Sequence, residues 1–403
     1  METNLHPSVK GTQIGNKVES VLRKCVHCGF CNATCPTYEL LGDELDGPRG
    51  RIYQMKQMFE GEAPNQEIRL HLDRCLTCRS CESTCPSGVE YGRLLEAGRQ
   101  YIDEKLPRSG KEKAVRHLLT RLLSSRRIFA FGYSMGMALR GLLPEILKSK
   151  LHSFEKPEYS WPDSRHARKM IVLQGCVQST VTPGTNIAAA RVLDKWGISL
   201  ETAADEGCCG AVALHTSSHE LALQQAKTQI RSWKRYLDEG YEAIVISASG
   251  CGVMAKDYVH LLSDDTEYAE LAKEVSGNVF DLVEIIAREV PGDYKIDSKH
   301  KKVAFQAPCT LQHGQQIKGQ VESILQQVGY QLCEVENEHL CCGSAGTYSL
   351  LQSEISQKLK KQKLQSLLKN QPDVICSANI GCQMHLAPDS PVSVKHWIEL
   401  LDG

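Results

Sequence analysis

The 403-residue sequence predicts an α/β multidomain chain, with an N-terminal α-helical domain built around eight cysteines followed by two pseudo-repeated α/β cysteine-rich units. Three observations predict it. Cys25-x2-Cys28-x2-Cys31-x3-Cys35-Pro36 recurs fifty residues later as Cys75-x2-Cys78-x2-Cys81-x3-Cys85-Pro86. Cys176, Cys208-Cys209-Gly210 and Cys251 recur as Cys309, Cys341-Cys342-Gly343 and Cys382, the first three shifted by 133 residues and the last by 131. Around both copies of the second pattern, short β-type runs alternate with helical periodicity, as in α/β units with a parallel sheet. On this division residues 1–105 form the first domain, 106–165 a helical basic linker, 166–292 the first repeat and 293–403 the second.

The first motif has a chemical reason. A cubane [4Fe–4S] cluster needs four thiolates at the corners of a small tetrahedron. Cysteines at i, i+3 and i+6 let one tight loop wrap three irons, and the loop's N–H groups turn towards the anionic sulfurs. In the two-cluster ferredoxin pattern the fourth cysteine, before proline, serves the other cluster. Cys25, Cys28, Cys31 and Cys85 are therefore assigned to one [4Fe–4S] cluster, and Cys35, Cys75, Cys78 and Cys81 to a second. A disulfide framework is disfavoured because nothing marks the chain as secreted. Zinc pairs would leave the third cysteine and the Cys-Pro unexplained. The fifty-residue offset suits a helical ferredoxin, with Ile52, Met55 and Phe59 at helical spacing between the loops. The stretch Gly42–Arg51 reads as a turn with a basic end, the alternative being that Arg49 and Arg51 balance cluster charge or dock a partner.

In the linker, Val115, Leu118, Leu119, Leu122 and Leu123 make an apolar helical stripe. Lys111 to Lys150 carries nine Lys/Arg against two acidic residues, interleaved with Phe129, Phe131, Tyr133, Met135 and Met137. Internal or subunit packing and contact with an anionic membrane surface both fit such a stretch.

Each repeat reads alike. A β run (170–173; 303–305) leads into the first cysteine, a helix follows (187–196; 321–328), and a second β run approaches Cys-Cys-Gly. A longer helix comes next (220–237; 355–368), then a third β run ending at Cys251 or Cys382. A closing helix is expected at Phe280–Ile286 and Lys395–Leu401. The glycine frees the backbone for close approach, and a helix N-terminus there favours thiolate. Four sulfurs per repeat suffice for a metal or a cluster, which makes Cys176, Cys208, Cys209 and Cys251, and Cys309, Cys341, Cys342 and Cys382, candidate ligands of a further cluster or of zinc. Cys333, facing Leu200 in the repeat alignment, is expected in the core. His27, His313, His339 and His385 lie near cysteines. Of these, His313 is the candidate for supporting a ligand or handling protons.

These Cys-Cys-Gly repeats resemble the cysteine-rich "CCG" domain of heterodisulfide reductase and its relatives, which implies an unusual Fe–S cluster or zinc. The usual pattern ends in Cys-x2-Cys, whereas Ala248 and Asn379 stand three before Cys251 and Cys382, and Cys376 is out of register. Over nearly the full length the chain resembles the iron–sulfur subunits of bacterial glycolate oxidases. The resemblance is carried by the two cluster motifs with 41–53 (LGDELDGPRGRIY), 73–78 (DRCLTC), 309–313 (CTLQH), 340–348 (LCCGSAGTY) and 378–383 (ANIGCQ). It implies an FAD-containing catalytic subunit, a second flavoprotein-like subunit, oxidation of glycolate to glyoxylate, and quinone as eventual acceptor. The same relay serving D-lactate or glycerol 3-phosphate dehydrogenation, or a self-contained heterodisulfide-reductase-like redox enzyme, are the alternatives.

What is missing points the same way. There is no GxGxxG at a strand–helix junction and no P-loop, and no nucleophile–base motif. No flavin is therefore expected on this chain, and the hydride chemistry is assigned to a partner's flavin. A net charge of −1 gives no reason to expect nucleic acid. The N-terminus lacks a secretory core, and no apolar run approaches a membrane span. The expected location is cytoplasmic, peripheral on the inner membrane.

Overall fold

The computed structural model describes all residues except 144–147, 149–150, 156, 298–300 and 403. The end of the basic linker stretch, Glu145 and Lys150 included, lies outside the described residues.

Residues 13–105 are helical, as the motif spacing suggests: α1 (Gln13–Lys24), α2 (Pro36–Leu41), α3 (Pro48–Glu60), α4 (Gln66–Asp73), α5 (Ser80–Thr84) and α6 (Tyr91–Lys105). The first Cys-Pro step and Pro48 serve a purpose, since proline at a first helical position has no N–H to orphan. Pro36 and Pro48 start α2 and α3 in this way. The core of this domain is the inner face of α3 (Ile52, Met55, Met58, Phe59) against Leu22, Leu72, Leu94 and Leu95. At Gly98 a Cβ would come within 2.5 Å of Met55 Sδ, so α3 and α6 approach closely only because that residue is glycine.

The linker forms a helical hairpin, α7 (Gly110–Leu123) and α8 (Arg126–Ala138). Its base is held by Arg108, which bonds Asp73 in two-pronged fashion at 2.6 and 2.9 Å and also reaches Glu112. The expected stripe is divided. Leu119, Leu122 and Leu123 are partly covered and Thr120 is buried against Thr216, whereas Val115 and Leu118 are exposed.

Each repeat contains a four-stranded, all-parallel sheet. The first has order β2-β1-β3-β4, from β1 (Arg168–Val172), β2 (Ile198–Glu201), β3 (Ile244–Ile246) and β4 (Val279–Asp281). The second has order β6-β5-β7-β8, from β5 (Lys302–Gln306), β6 (Gln331–Leu332), β7 (Val374–Ser377) and β8 (Val394–His396). The central strands β1, β3, β5 and β7 are largely buried, with apolar stretches such as Met170–Val172 and Ile244–Ile246, as central parallel strands have. One sequence expectation is corrected. The closing segments begin as strands, with Phe280–Asp281 and Lys395–His396 completing the sheets, before a helix at Leu282–Glu289 and a 3₁₀ turn at Trp397–Leu400. Three residues are too few for periodicity to reveal a strand. Asp281 ends one and caps the helix, with Glu284 closing a capping box.

The two repeats meet at the ends of their third strands. Ser249 N–H donates to Ala378 O (3.0 Å), Ser249 Oγ lies 2.7 Å from Thr310 Oγ1, and His396 Nε2 donates to Ser247 O (2.9 Å). The helical domain rests on both repeats, through Arg79–Asp257 (2.5 Å), Lys17–Asp264 (2.6 Å), and Tyr348 donating to Arg74 O (2.9 Å).

Candidate functional site

The two Cys-x2-Cys-x2-Cys loops fold alike because each takes left-handed backbone at the second and fourth positions after its first cysteine: His27 (φ 58) and Gly29 (φ 88) in one, Thr77 (φ 54) and Arg79 (φ 59) in the other. This turns amides inwards. His27 N–H bonds Cys25, Ser80 N–H bonds Cys78, and Thr77 N–H lies 3.5 Å from Cys75 Sγ. The short helical segment Phe30–Thr34 packs on α5, with Thr84 Oγ1 donating to Thr34 Oγ1 at 3.2 Å.

Two adjacent cavities result. One is lined by Cys25, Cys28, Cys31 and Cys85, and the other by Cys35, Cys75 and Cys78, with Cys81 bordering both. Each set brings together three cysteines of one loop and the Cys-Pro cysteine of the other. The thiols act on one another accordingly. Burial, with Cys25, Cys85 and Cys28 nearby, pushes the Cys31 thiol up to about 11. Burial, with Cys78, Cys75 and Cys35 nearby, pushes Cys81 well up. Four thiols crowded together in apolar surroundings are poor thiolates until a cation neutralises them. A four-thiol donor set ringed by inward amides therefore fits a [4Fe–4S] cluster.

The cavities differ in their surroundings. Cys28 is exposed, as are Val26 (66%) and Phe30 (63%) beside it. Behind the second cavity lies Arg51, 1% exposed. Its guanidinium donates to His71 O (2.7 Å), Thr37 Oγ1 (3.1 Å) and Asp46 Oδ1 (3.3 Å). Thr37 Oγ1 in turn lies 3.3 Å from Cys35 Sγ. Burial alone would favour the neutral form of Arg51, but Cys75, Tyr91, Cys35 and Asp46 hold it charged. This corrects the reading of Gly42–Arg51 as a turn with a basic end. Glu44–Asp46 is a 3₁₀ turn, Pro48–Arg51 already belongs to α3, and Arg51 points inwards. A polar residue on the core side of a helix whose neighbours are Ile52, Met55 and Met58 was the signal available. Arg49 stays near the surface with Glu44 (2.6 Å).

In the repeats the sulfurs meet mainly as pairs: Cys176–Cys208 at 3.4 Å, Cys309–Cys341 at 3.9 Å and Cys342–Cys382 at 3.3 Å. Cys209 is hydrogen-bonded to Cys251 and to Cys208. Hydrogen bonds from Cys176 and Cys209 hold Cys208 well below the ordinary thiol range. Among the described residues no three of these sulfurs lie mutually within 4.8 Å. The one triad that does, Asp43, Asp46 and His71, is committed to Arg51 and Arg74 through Asp46. A helix follows Cys-Cys-Gly directly only in the first repeat (Ala211–His215). In the second, Ser344–Thr347 intervene before Tyr348–Leu351. Asn379, standing where a further cysteine is usual, points its Nδ2 at Cys382 Sγ (3.7 Å).

Two further expectations change. Cys333 is only half-buried, and the core cysteine is Cys376 on β7, fully buried opposite Phe305. His313 takes a structural place between two elements. Its Nε2 donates to His339 O (3.0 Å), so Nδ1 accepts from Ser83 Oγ (2.7 Å), and burial pushes it down to about 4. It pins the second repeat to the helical domain. His385 is buried 3.2 Å from Ser356 Oγ, and His27 stacks on Tyr53.

Comparison with known proteins agrees with this layout. Residues 21–89 match the 4Fe-4S dicluster domain family, and residues 170–256 and 303–387 each match the cysteine-rich domain family. The chain is similar to the glycolate oxidase iron-sulfur subunit of Escherichia coli K12, 45% identical over 402 residues that cover 100% of this chain and 98% of that one. It is 29% identical over 401 residues to the probable glycolate oxidase iron-sulfur subunit of Bacillus subtilis 168, covering 91% and 89%. Lactate utilization protein A of Bacillus subtilis 168 matches 54% of this chain at 26% identity. A chain whose eight N-terminal cysteines line two adjacent cavities, whose two cysteine-rich repeats follow in order, and whose whole length is 45% identical to such a protein belongs to the glycolate oxidase iron–sulfur subunits.

Proposed function

We propose that this chain is the electron relay of a glycolate-oxidising complex, taking electrons from a partner's FAD and passing them towards quinone, beside a second flavoprotein-like subunit. The observation that supports this most directly is the pair of adjacent four-thiol cavities in one helical body, in a chain similar along its full length to a glycolate oxidase iron-sulfur subunit. In this reading Cys25, Cys28, Cys31 and Cys85 hold one [4Fe–4S] cluster and Cys35, Cys75, Cys78 and Cys81 the other. Bound clusters supply one-electron redox chemistry. The protein's part is to fix four sulfurs per cavity, to aim the His27, Thr77 and Ser80 amides at them, and to place the Arg51 charge behind one cavity only. The exposed loop at Val26–Phe30 is the face offered to the flavoprotein.

The hairpin α7–α8 supports peripheral membrane contact at the cytoplasmic face. Ile128, Phe131, Met135 and Leu142 are exposed beside Arg121, Arg126, Arg127 and Arg140, a combination that suits an anionic bilayer. No helix among the described residues is long and apolar enough to cross a membrane.

The test is substrate-driven dye reduction by the complex purified anaerobically with this chain as bait, comparing glycolate, D-lactate and glycerol 3-phosphate. Glycolate-driven reduction is expected. It should be lost in Cys28→Ser and Cys78→Ser while flavin reduction persists. Activity with D-lactate or glycerol 3-phosphate alone keeps the relay and discards the donor, and unchanged turnover in both variants discards the relay.

A further inference from the structure

The two repeats differ in what lies over their first crossover helix. In the first repeat the chain entering β1 runs across that place as a strap. Pro157 is the group nearest Gly184, at the head of the helix Gly184–Lys195, 3.5 Å from where a Cβ would stand. Arg191 of the same helix stacks over the Tyr159 ring at 3.8 Å. Trp161 packs against the core and donates its Nε1–H to Leu200 O of β2 (2.9 Å), and Ser164 donates to Glu201 (2.5 Å).

In the second repeat the same place is a cavity of about 420 Å³. Met170 and Val303 each stand six residues before the first cysteine of their repeat, and Leu200 pairs with Met170 as Leu332 pairs with Val303. Leu332 lines the cavity where Leu200 carries Trp161. Seven residues before the left-handed glycines that follow the two helices, Gly197 and Gly329, stand Ala190 and Glu322. Ala190 is fully buried, whereas Glu322 lines the cavity. The described part of the chain entering β5 forms no strap here. It holds the other end of the helix Gln320–Gln327, where Ile296 N–H donates to Val328 O (3.0 Å), and Tyr294 turns away to donate to Leu401 O (2.9 Å).

Phe305, Leu332 and Val335 give the cavity apolar walls, and Glu322, Glu334 and Glu338 line it with acid. The segment that carries most of these residues is fixed through its carbonyls. Asn370 Nδ2 donates to Glu334 O (2.8 Å), Lys363 Nζ to Asn337 O (2.9 Å) and Gln312 Nε2 to Glu338 O (3.0 Å). Lys369 pairs with Glu336, but among the described residues Glu322, Glu334 and Glu338 make no ion pair. Burial, with Glu338 nearby, raises the Glu322 carboxyl. The volume lies within the roughly 300–1,000 Å³ of ligand sites. A preformed crevice with apolar walls and unmatched carboxylates selects an occupant with an apolar body and a positive charge. The first repeat shows the form that such an occupant takes, an extended peptide anchored by an aromatic ring.

We propose that this cavity is the docking site for an extended segment of a partner subunit, with an aromatic side chain beside a lysine or arginine, which lies over the second repeat as residues 157–164 lie over the first. That the partner is a subunit of the glycolate-oxidising complex rests on the relay reading above.

The experiment is photo-cross-linking in the anaerobically purified complex, with the full chain carrying Glu334→p-benzoylphenylalanine and the products identified by mass spectrometry. A cross-link to one segment of a co-purified subunit is expected, with an aromatic residue and a Lys or Arg in that segment. It should be lost when Glu322→Ala, the first repeat's residue, is combined with Glu338→Gln. Without the probe, the same double change should lower the partner retained through a salt wash about tenfold or more, because the docked cation is left buried and unpaired. Circular dichroism and iron content should stay as in wild type. If the double change impairs folding, Glu338→Gln alone, at an exposed side chain, decides. No cross-link, a cross-link only to lipid or to a second copy of this chain, a cross-linked segment without a basic residue, or undiminished retention in the variant each overturns the proposal. Glycolate turnover is scored separately. Turnover by a complex that gives no cross-link keeps the relay and discards the docking site, and the expected cross-link in a complex that oxidises another donor keeps the docking site and discards glycolate.

Discussion

The two ferredoxin cavities have the same four-cysteine motif and opposite settings. The first opens to solvent beside Val26, Phe30 and the exposed Cys28. The second is walled by buried Arg51, and its Cys78 packs beside Cys309 and Cys341 of the second repeat. Even the approach to each loop differs. Arg23 and Lys24, just before Cys25, make exposed surface pairs with Glu19 and Glu90. Asp73, at the matching place before Cys75, is locked by Arg108 and Arg116. A repeated ligand motif thus specifies the ligands, while the packing around each copy sets the charge and solvent that a bound cluster would feel.

The largest effect that would break this comparison concerns Arg51. Arg51→Met should cost about 3 kcal/mol in denaturant unfolding, because Asp46 loses one of its cations while staying buried. In a redox titration it should lower the midpoint of the cluster at Cys35, Cys75, Cys78 and Cys81, since removing a positive charge disfavours the reduced, more anionic form. Equal displacement of both clusters would show that the charge is not local.

Next comes Asp73. Burial would raise this carboxyl, but the hydrogen bond and charge of Arg108 outweigh it and hold it below the usual range. A lowered folded pKa contributes stability that is present above the unfolded value of about 3.9 and is lost as pH falls through the folded one. Asp73→Asn should cost about 1–3 kcal/mol at neutral pH, and acid-unfolding curves of mutant and wild type should converge only once pH has fallen below the carboxyl's lowered folded value. A constant offset at every pH would mean the carboxylate's charge is irrelevant.

A smaller change is expected for His313→Ala, which removes the bonds to Ser83 and His339. About 1–2 kcal/mol is expected in thermal unfolding at pH 8, shrinking as pH falls through about 6.5, because the unfolded ring takes up a proton there while the folded one stays neutral down to about 4. Smallest of all, Glu19→Gln beside the first loop should stay within about 0.5 kcal/mol. A loss comparable to that of Asp73→Asn would erase the contrast between the loops.

Much of this was legible in the residues. The paired cysteine loops, the helical body between them, and the alternation of strands and helices around Cys-Cys-Gly all follow from spacings of a few residues. Local spacing constrains local geometry, and the structure follows it. The strands hidden at Phe280–Asp281 and Lys395–His396 were not legible, because three residues carry no period and their pairing with β3 and β7 is what makes them strands. Cys333 was expected in the core and is half-buried for a similar reason, since a lone cysteine says nothing of its burial.

Residue identity at short separations carries the two cysteine motifs, the order of the three cysteine-rich units and the kinship of the chain. Folding alone brings Arg51 to the second cavity, sets His313 as a pin, and lets Lys363 reach Asn337 O and Glu338 O where Gln229 meets Gly207 N–H. Those contacts join residues tens to hundreds of positions apart. The strength of a charge depends on its distance from its neighbours and on the water excluded between them, and folding alone sets both.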